Sequence, residues 1–215
     1  MRGDMTDKIL TSLGKVVDIV WLSILWLLCC LPVVTIGASS TALYYTVHKT
    51  IRGSRGYTTR TFFTALKDNF KQATLSYLVW LLVMIVLVAD LMITREVLKS
   101  GNTMGMFFYC FLVMIAFAVG WGCYLFSYTA RFANTVKATV KNAFLLELRH
   151  LPWSLLIICI TAAALFATWL LPVILIFLPA LLFLIYDLIL ERLFRRYMSE
   201  EDLAKELEND MIDRM

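Results

Sequence analysis

Hydrophobic residues gather in about five long blocks along this chain, separated by short polar stretches or by turns that carry glycine and proline. The first block runs from about Val16 to Ala38 and is interrupted at Pro32, which has no amide to offer the Leu28 carbonyl. A kink or break is expected there. Beyond it, Thr35 to Ala42 is a run of small residues in which Gly37/Thr41 and Ala38/Ala42 recur at i, i+4. Such a face lets a second helix approach closely in a membrane. Pro32, Thr35, Gly37, Ala38 and Thr41 are therefore the candidate helix-packing or partner segment.

The helix continues to His48 and meets a basic turn, Arg52-Gly53-Ser54-Arg55-Gly56. At 100° per residue, Phe62, Phe63, Leu66, Phe70 and Ala73 then share one arc, with Arg60, Thr64, Lys67 and Lys71 opposite. That is the pattern of an interfacial elbow helix, and it runs directly into a second span, about Leu75 to Thr94. A loop from Arg95 to Thr103 leads to a third span, about Met104 to Tyr128, where Gly120 and Gly122 flank Trp121. Between Arg131 and Arg149 the amphipathic pattern returns, with Phe132, Val136, Val140, Ala143 and Leu146 on one arc and Asn134, Lys137 and Lys141 opposite. In this second elbow Glu147 falls within the apolar arc, so it pairs with a basic neighbour or faces something other than lipid. A fourth span, Leu151 to about Leu170, turns at Leu171-Pro172 into a fifth that ends near Leu190. The expected fold is all-α and polytopic, with about five transmembrane helices and two cytoplasmic amphipathic elbows. Residues 1–191 form one transmembrane domain, and 192–215 a mixed-charge cytoplasmic tail.

Composition supports the bilayer as solvent. Of 215 residues, 60% are hydrophobic and 17% charged, against about 45–50% and about 25% in soluble domains. The net charge of +4 matters less than its placement, because Lys and Arg in short loops orient a membrane protein. Both elbows and the tail are rich in them and the Arg95 loop and Leu171-Pro172 turn are poor, which puts the former inside. Five spans then place the amino terminus outside; the rival is an inside terminus with a re-entrant break at Pro32. The first block is long and lacks an A-x-A-like cleavage site, so it reads as retained.

Chemical signatures are sparse. The sequence has no Gly-rich phosphate loop, HExxH or GxSxG, and no evident close pair of carboxylates with a nearby His. Neither catalytic, cofactor nor metal residues are assigned, and nothing points to nucleic acid. The five cysteines lie in apolar segments without CxxC spacing and read as small apolar side chains. Ionisable residues in or beside spans are the polar candidates. Asp18 and Asp90 are placed toward the outer face near Arg95 and Lys99, as an interfacial ion pair or as part of an outward polar pocket. Asp187 is expected to form a packing salt bridge with Arg131, a proton relay being the alternative. Glu191 and Arg195 make a plain i, i+4 pair, His48 is interfacial, and the tryptophans mostly form interfacial belts.

The stretch from Trp26 through LLCCLPVVTIGASSTALYY to Tyr45, with the Arg-Gly turn and the Phe-rich elbow after it, resembles the YesL family of bacterial membrane proteins. The resemblance implies a Gram-positive plasma membrane and a gene neighbourhood of carbohydrate uptake, and it carries over no catalytic residues. The expected role is a non-catalytic accessory or assembly subunit in the lipid bilayer, beside ABC importer permease subunits. The alternative is a small solute transporter or channel acting as a homo-oligomer.

Overall fold

The computed structural model describes residues 2–53, 56–100, 102–198 and 200, with side chains from residue 13 onward. Every regular element among them is helical: α1 (Arg2–Cys29), α2 (Ile36–Thr46), α3 (Thr58–Lys99), α4 (Phe107–Arg131), α5 (Val136–Arg149), α6 (Leu151–Leu170) and α7 (Leu178–Phe194). Ser54, Arg55 and most of the expected tail lie outside the described residues. Three helical stretches are long and apolar enough to cross a membrane: Thr58–Lys99, Thr103–Arg131 and Leu151–Leu170. Their outward faces are apolar, as at Leu82, Ile85, Met92, Val113 and Phe166, and suit contact with lipid.

The break at Pro32 is real and chemically completed. Helix α1 stops at Cys29, and Pro32 is extended before a single 3-10 turn at Val33–Thr35. The Cys29 carbonyl, left without an amide partner, accepts hydrogen bonds from the Thr35 and Ser39 hydroxyls. Inside a bilayer such groups must be satisfied within the protein, which explains why hydroxyl residues follow the proline. Helix α2 then packs on α3 so closely that a Cβ at Gly37 would lie 2.3 Å from the Tyr77 Cβ and 2.9 Å from the Ala73 carbonyl oxygen. Gly37, Ala38 and Thr41 are all buried. The small-residue segment thus docks a helix of its own chain.

The first elbow is not a separate element. Arg60 to Lys71 belongs to α3, whose 42 residues rise about 63 Å, against a hydrocarbon layer about 30 Å thick. The same helix continues through the expected Arg95 loop to Lys99. Apolar residues at helical spacing run on across both boundaries, and no proline or glycine falls between Thr58 and Lys99 to stop it. The end where α3 begins is called lower here, and the end where it finishes upper. Helix α4 returns beside α3, with Gly122 under the Trp80 ring, whose Nε1 donates to the Ala118 carbonyl at 2.7 Å. Trp26 donates likewise to Ser40, and Trp121 to the Val140 carbonyl. These three indoles tie helices together rather than forming a belt. The second elbow is a helix of its own, α5, while α7 begins only at Leu178 because a 3-10 turn occupies Pro172–Ile176.

Candidate functional site

Buried charge collects at the lower end of the bundle. After α2 the backbone widens into a π-helical turn, Val47–Arg52, closed by the Gly53 amide donating to the His48 carbonyl five residues back. His48 and Arg52 project from this turn onto α7. There the His48 Nδ1 lies 2.8 Å from Asp187 Oδ1, and Arg52 donates to Asp187 Oδ2 at 2.9 Å. One helical turn on, Glu191 accepts from Arg131 of α4 at 2.8 Å and from Arg195 at 3.3 Å. The Glu191 Oε2 is 3.9 Å from His48 Nδ1, so the two halves meet at the histidine.

Asp187 and Glu191 are both fully buried. Removing a carboxylate from water costs several kcal/mol, and here the cost is offset by charge-assisted hydrogen bonds from α4, the π turn and Arg195 just beyond α7. Two carboxylates face three guanidinium groups. The Nδ1 of His48 and oxygens of Asp187 and Glu191 also lie within 4.8 Å of one another, near enough for one metal ion. A divalent cation in that position would meet positive charge already bound to both carboxylates, so the donor set suits an internal ion network better than a metal centre. The Tyr44 hydroxyl, also buried, lies beside this network near Asp187.

The geometry corrects several expectations. Arg131 pairs with Glu191 and not with Asp187, whose partners are His48 and Arg52. Two carboxylates with a nearby histidine do exist, brought together from positions 139 residues apart. The i, i+4 spacing of Asp187 and Glu191 was the available signal, but nothing local ties His48 to it. Asp18 and Asp90 do not share a pocket. The Trp21 indole, one turn from Asp18, donates to Thr59 at the lower end of α3, whereas Asp90 lies about 46 Å further along that helix. Of the two alternatives for Glu147, the structure agrees with the second: it faces the protein interior and not lipid. It is fully buried, neither of its carboxyl oxygens has a hydrogen-bond partner, and it points at Gly120 of α4.

Among known proteins, a family described as a protein of unknown function, DUF624, matches residues 19–91. No curated protein and no solved structure matches. The matched segment covers most of α1's apolar part, α2, the π turn and α3 up to the level of Asp90. It therefore supplies His48 and Arg52, while Arg131, Asp187 and Glu191 come from the remainder of the chain.

Proposed function

We propose that this chain is a non-catalytic membrane subunit that assists assembly or function of a transport complex, in the carbohydrate-uptake setting its resemblance implies. The observation that carries this reading is the distribution of buried polarity. Among the described residues, the buried serine and threonine side chains on α3 end at Ser76 and those on α4 begin at Ser127. The upper halves of these helices hold no fully buried serine, threonine or charged side chain that could replace water around a passing ion or sugar. The lower end, by contrast, is held in one shape by the ion network, as a docking surface requires. An importer permease is the partner the reading favours.

The topology that goes with this reading places the lower end in the cytoplasm, where the basic π turn and α5 lie. Because Trp21 reaches Thr59, α1 starts from the lower end, and the short α2 returns toward it after the Pro32 break. The amino terminus is then cytoplasmic, as in the re-entrant alternative and against the outside placement that a count of five spans gives. In a chain with its five cysteines replaced, Ser100→Cys is expected to react with an impermeant thiol reagent in intact cells. Gly14→Cys, at a position with nothing within 4 Å, is expected to react only after permeabilisation; labelling of Gly14→Cys in intact cells would overturn this topology.

Extraction in mild detergent tests the functional reading. A stoichiometric permease subunit is expected to accompany the chain through purification. Recovery as a pure homo-oligomer would favour the transporter alternative instead.

A further inference from the structure

A carboxyl group with no partner in a protein interior is costly in either state, and far more so when ionised. Glu147 is such a group. It is 0% exposed, and its Oε1 would lie 2.5 Å from a Cβ built at Gly120, so the absence of a side chain there makes the room it occupies. Ile158 of α6 crowds the same position, 3.0 Å from that Cβ. The titratable groups facing it, Cys123 and Tyr124 of α4, are neutral acids that supply no positive charge. Ser154 of α6 spends its hydroxyl on the Glu147 main-chain carbonyl at 2.7 Å and the Tyr124 hydroxyl at 3.1 Å, not on the carboxyl. Glu147 also sits in the last turn of α5, where the negative end of the helix dipole opposes an anion.

We propose that Glu147 is a proton-binding site: the carboxyl is neutral while α5 is packed against α4 and α6, and its proton can pass to water only when α5 draws back from Gly120. The exchange is simple, with the O–H bond broken, the electron pair left on the carboxylate and the proton taken by water as hydronium. Proton occupancy thereby becomes coupled to the seating of α5 against α4 and α6. This coupling does not require the subunit role proposed above, since it is read on the isolated chain.

Burial pushes the carboxyl from 4.5 up to about 8. The sign follows from linkage. Stability from this group is fully present below 4.5, is lost as pH rises toward 8, and stays lost above it. The test uses the full chain in phosphatidylcholine nanodiscs. Infrared difference spectra between the parent and Glu147→Gln are expected to show the carbonyl stretch of a protonated acid at pH 6, half lost near the value of about 8. Amide exchange across α5, corrected for its intrinsic pH dependence, is expected to quicken several-fold over the same interval in the parent and to stay level in Glu147→Gln. Should that variant not fold, Glu147→Asp keeps an acid at the site and is expected to shift the band and its midpoint. The proposal is overturned if no protonated-acid band at pH 6 responds to either substitution, or if α5 protection in the parent is the same on both sides of the titration.

Discussion

Arg131→Met is expected to cost about 3–5 kcal/mol of stability, the range found when one member of a buried ion pair is removed. The substituted chain keeps an apolar side chain of similar length, so the loss is not one of packing. What remains is Glu191, fully buried, with Arg195 as its nearest cation at 3.3 Å from a side chain that is half exposed. A double substitution, Arg131→Met with Glu191→Met, removes the buried charge as well as its partner and is expected to recover much of the loss, because replacing both members of a pair by apolar groups is often close to neutral. Thermal unfolding in detergent checks both. If the double variant were less stable than Arg131→Met, Glu191 would be contributing through contacts other than the pair.

Gly37→Leu is expected to separate α2 from α3 without preventing insertion. The backbones are already so close that even Gly37→Ala would place its Cβ at 2.3 Å from a Tyr77 atom and 2.9 Å from a main-chain oxygen, neither of which is the free end of a flexible side chain. Overpacking of this kind costs about 1–3 kcal/mol, occasionally more, and Leu adds three further carbons. The shift would also move the π turn, and with it His48 and Arg52, off Asp187. Gly14→Leu makes the same chemical change where nothing lies within 4 Å and is the control. Equal melting temperatures for Gly37→Leu and the parent would show that the α2–α3 contact contributes little to the fold.

Local chemistry made much of this architecture readable. The Pro32 break, the close approach at Gly37 and the glycines beside Trp121 follow from the properties of single residues in a medium that cannot hydrogen-bond to exposed backbone. What could not be read was the joining of distant segments. His48 meets Asp187 from 139 positions away in sequence, and only the fold distinguishes that pairing from an interfacial histidine. Arg131 could choose between Asp187 and Glu191, which are one turn apart and equivalent in sequence terms. The failure over Asp18 and Asp90 has a related cause. Placing both at the same face required α1 to cross in the sense an odd count of spans gives, and the short return through α2 reverses that sense. Glu147 was legible as an anomaly on an apolar arc, but its solitude depends on Gly120 and Ile158, which belong to two other helices.

The central claim is that this chain assists transport and does not itself provide the path. Flux through proteoliposomes containing the purified chain alone tests it most directly, with monosaccharides and monovalent cations as the solutes. The account predicts uptake no faster than in protein-free vesicles, because the upper halves of α3 and α4 hold no fully buried serine, threonine or charged side chain. Saturable uptake that depends on the amount of protein would contradict it.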